Sequence, residues 1–210
     1  SELFQHYNPE FLKKIEGKWH FNGRPLNVFA AIDFAFSLRD SADYTALVVI
    51  GVDWDGNIYL LDIQRKRTNK TQEYYDMVYN AHMKWGFRKI RAEVTAAQDV
   101  IAERLKDDIK ADGLALSIDK FRPTRVMGTK EERIQNTLLP YYDNHAIWHF
   151  EGGLCETLEQ ELIMLNPPND DIKDALHSVI GIMQVPMRSH TQRKKSNVVY
   201  NSRFGGVAVG

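Results

Sequence analysis

Residues 27–36 read NVFAAIDFAF, a nearly unbroken apolar run with one acid, Asp33, between Ile32 and Phe34. A short continuous apolar run is the pattern of a strand buried on both faces, which places this segment in the middle of a covered sheet. A lone carboxylate in such surroundings costs several kcal/mol unless something compensates it. Whatever this chain folds into must therefore bring a cation to Asp33. A salt-bridging arginine would serve, and so would a metal ion.

The rest of the chain supplies the sheet and its cover. After the polar loop SLRDSAD come two β-rich runs, YTALVVIGV and NIYLLDIQRKR, on either side of DWDGN. Asp55-Gly56 predicts a hairpin through a type I′ turn, so the first three strands form an antiparallel meander. NKTQEYYDMVYNAHMKWG is an amphipathic helix closed by Gly86, FRKIRAEV a strand, and AAQDVIAERLKDDIKADG a helix ending at Gly113. LALSIDKFRP is a strand or extended edge stopped by Pro123. TKEERIQNTLLPYYDNH opens with Thr129 and Glu132 at capping-box spacing. AIWHF is a brief strand, and LCETLEQELIML and DIKDALHSVIGIMQ are the last helices, before Pro186.

This order gives an α/β fold: a mixed sheet with an antiparallel three-strand meander and helices on both faces. It is the order expected of a ribonuclease H-like fold, although periodicity alone leaves other α/β folds open. Residues 1–27 show no sustained period and read as a linker segment. Residues 28–186 form the domain, and residues 187–210 are a basic tail.

Charge is unevenly placed. Arg188, Arg193, Lys194, Lys195 and Arg203 follow Asp174 with no acid among them, so that stretch carries +5 and, the whole chain being −1, residues 1–174 carry −6. A basic arm on an acidic body fits a polyanionic partner, and equally a solvated tail. One cysteine, Cys155, excludes an intramolecular disulfide framework and fits a reducing, intracellular setting. No apolar run reaches the length of a membrane span and no secretory signal is present, so the expectation is a protein that is not secreted.

Asp33 has company. Glu93 stands where the strand FRKIRAEV runs into a helix, at the kind of strand end where open α/β sheets place ligands. NDDIKDALHSV holds Asp170, Asp171 and Asp174; the last two are three apart and share a helical face near its N-terminus. The helix dipole offsets part of their repulsion, and a divalent cation would offset more. Hard carboxylate oxygens suit Mg²⁺ or Mn²⁺, and no Cys or His spacing points to zinc. Salt bridges and helix capping would explain each acid singly. A set of three or more suits two cations about 4 Å apart.

These segments resemble a known family. FAAIDFAFSLRDSADYTALVVIGVDWDGNIYLLD, RAEV, TKEERIQNTLLPYYDNHAIWHF and NDDIKDALHSV resemble, in order, the nuclease domain of the large terminase subunit of tailed double-stranded DNA phages, over residues 28 to 183. The resemblance implies a Mg²⁺- or Mn²⁺-dependent endonuclease that cuts concatemeric viral DNA during packaging, with little sequence preference and two divalent cations. It implies Asp33, Glu93 and Asp174 as the metal-binding and catalytic triad and Asp171 as an auxiliary ligand, with Asp170 doubtful; Asp43 lies in a loop where the family often has an acid, and its expected role is structural. It further implies double-stranded DNA, an N-terminal ATPase motor of the same full-length protein, the portal and the small terminase subunit as partners, in the host cytoplasm. This chain itself contains no G-x-x-x-x-G-K-[ST] phosphate loop. His145 stands where relatives often have glycine.

Other residues are candidates on chemistry. Lys130 is a candidate for a phosphate or water contact, and His177, one turn after Asp174, for an approach to the site. Arg65, Lys66, Arg67, Lys70, Lys130 and Arg133 are candidates for the DNA backbone, since phosphate contacts supply most non-specific affinity. Solvated faces account for the same residues. Two other readings stay open: a structure-selective, resolvase-like nuclease on the same fold, and a non-catalytic DNA-binding packaging module whose acids only form salt bridges.

Overall fold

A computed structural model describes residues 3–35, 44–68, 70–95, 97–124, 127–164 and 167–187. Asp43 and the basic residues of the tail lie outside them.

The run around Asp33 is strand β5 (Asn27–Asp33), with its last three apolar residues before the acid all buried. It pairs antiparallel with β6 (Thr45–Val52), every residue of which is buried, and β6 pairs antiparallel with β7 (Ile58–Lys66). The expected meander is therefore present. Its β6–β7 turn differs from the expectation. Gly56 is left-handed at φ 86°, but Asp55 is not, so this is no type I′ turn. Asp53 organises it instead: its carboxylate accepts from the backbone N–H of Asp55 (2.9 Å) and Asn57 (3.0 Å). A short polar side chain that bonds to the backbone ahead of it can build a turn without the paired positive-φ residues.

On the other side of β5 lie β8 (Lys89–Glu93) and β9 (Ser117–Phe121), both parallel to it. On the far side of β7 lie β10 (Ile147–His149) and then β1 (Gln5–His6), giving a seven-stranded mixed sheet of order β1-β10-β7-β6-β5-β8-β9. Residues read as a linker thus carry regular structure: β1 joins the main sheet, and β2 (Leu12–Ile15), β3 (Lys18–Phe21) and β4 (Arg24–Pro25) form a separate antiparallel sheet. Strands of two to four residues are too short to show a period.

Among the described residues five α-helices cover the sheet. Side chains on β6 alternate between two cores. Leu47 and Val49 pack with α1 (Thr71–Trp85) and α2 (Gln98–Ala111). Ala46, Val48 and Ile50 pack on the opposite face with α3 (Lys130–Asp143), α4 (Leu154–Ile163) and α5 (Asp171–Ile180). Helices therefore lie on both faces, as expected. Gly86 ends α1 at φ 73°, and His145 ends the α3 turn at φ 52°, a left-handed position that a glycine would occupy without strain. No helix among the described residues is long and apolar enough to cross a membrane.

The Thr129 capping box is complete: the side chain accepts from Glu132 N–H (3.2 Å) and Glu132 Oε2 from Thr129 N–H (2.8 Å). It fixes where α3 starts, and so where Lys130 and Arg133 stand. Thr129→Ala should cost about 1 kcal/mol, read as a loss of roughly 2–4 °C in melting temperature at this chain length.

Candidate metal centre

Asp33 and Glu93 end adjacent parallel strands, and the ladder pairs them residue to residue. In-register neighbours on parallel strands leave the sheet on the same side, so the two carboxylates stand together at the carboxyl end of the sheet. The N-terminus of α5 meets them there, bringing Asp171 and Asp174, both buried, with Asp170 as the N-cap residue. A pocket of about 320 Å³ is lined by Asp33, Glu93, Asp170, Asp171, Asp174 and Lys130. Acids far apart in sequence thus come together.

Their partners divide unevenly. Lys130 Nζ bridges Asp174 and Asp170, the latter at 3.1 Å. Arg133 Nη2 donates to Glu93 Oε1 (3.2 Å) and Arg65 Nη2 to Asp171 Oδ2 (3.0 Å). Among the described residues, Asp174 Oδ1 is buried without a hydrogen-bond partner. Among the described residues, five carboxylates meet three cationic side chains here.

The ionisation of these groups reflects that excess. Burial holds the Asp33 carboxyl well above the usual range; Asp174, Asp171 and Glu93 add to this and Lys130 opposes it. Burial pushes Asp174 up to about 6, against Lys130 and with Asp170 and Glu93. At Lys130 burial disfavours the ammonium, but Asp174 and Asp170 together outweigh it and raise its pKa.

An orphaned buried carboxylate oxygen, a protonation-prone Asp33 and a set of acidic oxygens, with no Cys or His among the described residues of the pocket wall, fit a hard divalent cation. Asp33, Glu93 and Asp174 line the pocket together. Asp171 is turned to Arg65, and Asp170 to Lys130.

The remaining candidates divide by exposure. Arg65 and Arg133, at 11% and 12% side-chain exposure, are interior ion-pair partners, and Arg65 also lies 3.9 Å from the Tyr44 ring centroid. Lys66, Arg67 and Lys70 are exposed. Lys66 and Lys70 reach Glu73 (2.8 and 3.5 Å), and Arg67 lies over Tyr44. His177 does not line the pocket; burial lowers its pKa, which favours the neutral ring.

Residues 30–183 match the family described as terminase RNaseH-like domain. The chain belongs to that family. Among solved structures, this terminase RNaseH-like domain is similar to the large terminase nuclease from thermophilic phage G20c, at 13% identity and TM-score 0.59 over 87% of this chain and 96% of that one. A zinc-bound structure of the G20c nuclease is similar at 15% identity and TM-score 0.55, covering 86% and 94%. A mutant nuclease domain of the large terminase subunit of bacterial virus Sf6, with manganese and β-thujaplicinol, aligns at 12% identity and TM-score 0.54, covering 75% and 89%. These likenesses establish a ribonuclease H-like fold. No curated protein matches the sequence.

Two participants escaped the sequence reading. Ser178 lines the pocket from α5 with a buried, unpartnered hydroxyl. Glu161 on α4 is buried beside Arg65 (3.8 Å) and accepts from Lys173 N–H (2.9 Å). Its signal was a charge on the helix face of Cys155 and Leu158, both fully buried. Burial pushes Glu161 up to about 7, against Lys173 N–H and Arg65.

An acid whose folded pKa exceeds its unfolded one holds a proton only in the folded state between the two values. Its favourable contribution is complete below the unfolded pKa and is lost as pH rises through the folded one. For Glu161 that window runs from 4.5 to about 7 and is worth up to about 3 kcal/mol. Glu161→Gln should flatten the fall in melting temperature across this window, measured by circular dichroism at a series of pH values.

Proposed function

We propose that this domain is a metal-dependent endonuclease that cleaves concatemeric viral double-stranded DNA during genome packaging, by two-metal phosphodiester hydrolysis with little sequence preference. The observation that carries this reading is the in-register pair Asp33–Glu93 lining one pocket with Asp174.

Asp33, Glu93 and Asp174 would hold two divalent cations, Mg²⁺ or Mn²⁺. Asp171 joins as an auxiliary ligand only if Arg65 releases it. The chemistry such cations supply when bound is a nucleophilic water at neutral pH and neutralisation of charge on the departing 3′-oxygen. Arg133 orients Glu93 through its hydrogen bond. Lys130 keeps its proton beside Asp174, and its ammonium can donate to a phosphate oxygen.

Ala46 pairs with both Asp33 and Arg65, so β7 ends at the same edge of the sheet as the acids. Lys66, Arg67 and Lys70 continue from that end and would follow a DNA backbone, a contact that orients without reading sequence. In the full-length protein the domain would work with an N-terminal ATPase motor, the portal and the small terminase subunit, in the host cytoplasm. Residues 1–27 would end the linker to that motor, and residues 187–210 would form a basic tail.

Plasmid digestion with Mg²⁺, Mn²⁺ and EDTA tests the reading. Cleavage should require a divalent cation, and Asp33→Asn or Asp174→Asn should reduce it by more than about 100-fold with the fold retained. Undiminished cleavage by both variants would remove the site assignment. Cation-independent DNA binding without cleavage would favour a packaging module, and a strong preference for branched over linear duplex a resolvase-like nuclease.

A further inference from the structure

A second group of ligating side chains lies outside the acidic pocket, in a part of the sheet separated from β5 by β6 and β7. His6 ends β1 and His149 ends β10, and the parallel ladder pairs them residue to residue. Both imidazoles therefore leave the same face of the sheet. Glu159, on α4, reaches between them: its Oε1 lies 2.8 Å from His6 Nε2 and 2.8 Å from His149 Nδ1. The three ligand atoms lie within 4.8 Å of one another.

The surroundings hold this arrangement in place. His149 is fully buried, its ring stacks on Phe4 at 5.0 Å, and its Nε2 is 3.0 Å from the Tyr142 hydroxyl. Ligating histidines characteristically have their second nitrogen fixed in this way by an outer partner. His6 is 36% exposed on its side chain and gives solvent a path to the site.

We propose that His6, His149 and Glu159 bind a zinc-class divalent ion, with a water in the fourth position. Two imidazole nitrogens and one carboxylate oxygen are a known donor set for zinc. It contrasts with the carboxylate donors of the acidic pocket, so the two sites select different metals. Without metal, His149 Nδ1–H donates to Glu159 and Nε2 accepts from Tyr142. Binding at Nδ1 moves the ring proton to Nε2, where it donates to the Tyr142 oxygen, so the outer hydrogen bond survives in either tautomer. His6 likewise carries its proton on Nδ1 when Nε2 binds. The ion would fasten β1, a strand only two residues long, to β10 and α4.

The test is a Co²⁺ titration of the full 210-residue chain carrying Asp33→Asn and Asp174→Asn, which removes two carboxylates of the acidic pocket. One equivalent should bind with the intense visible absorption of a four-coordinate ion, and Zn²⁺ should displace it. Adding His6→Gln, at the exposed ligand, should abolish that absorption, with folding checked by circular dichroism. Tyr142→Phe should weaken binding about 10-fold. Absence of the four-coordinate spectrum, or its survival unchanged in the folded His6→Gln variant, would overturn the proposal.

Discussion

The structure turns on an electrostatic conflict around Asp33. Strand pairing puts Asp33 and Glu93 side by side, and α5 adds Asp174, whose buried Oδ1 has no partner. Sheet packing gains nothing from this arrangement. Burial raises Asp33 and Asp174 toward their neutral forms. Like charges kept close at a cost to stability are the usual mark of a functional site.

Lys130 shows how the fold balances part of this charge. It is the first residue of α3, where the helix dipole opposes a positive charge. Asp170 and Asp174 offset that opposition and place an ammonium at one edge of the acidic group. Arg133 stands three residues on, on the same side of the helix, and takes Glu93. A single helix start thus supplies the cations for two of the three principal acids. Asp33 is left for whatever else enters the pocket.

Much of this was legible in the sequence, for identifiable reasons. Asp33 stood out because a charge inside a doubly buried strand violates its surroundings, and Glu93 because a strand end is a ligand position. The meander and the helices followed from period and capping, the Thr129 box above all. What escaped depended on long-range pairing. Nothing local tells Arg65 that its partner is Asp171, 106 residues later, or that Arg133 will face Glu93 rather than solvent. The β6–β7 turn escaped because Asp53, ahead of the Asp-Gly pair, builds it with its side chain. Residues 5–25 escaped because their strands are too short to show a period.

The same limit explains the histidines. His6 and His149 are 143 residues apart in the chain and adjacent only through the β1–β10 ladder. A ligand-spacing search finds sites whose residues share one turn or one helix. Here the pairing of a two-residue edge strand decides whether the donors meet at all. Tyr7 strengthens that pairing from the next residue, its N–H donating to His149 O (2.9 Å) and its hydroxyl to Leu60 O (2.6 Å). An edge strand held only by its own ladder would leave His6 free to turn away. Held by Tyr7, it keeps an imidazole facing Glu159, and the geometry that would bind an ion is in place before the ion arrives.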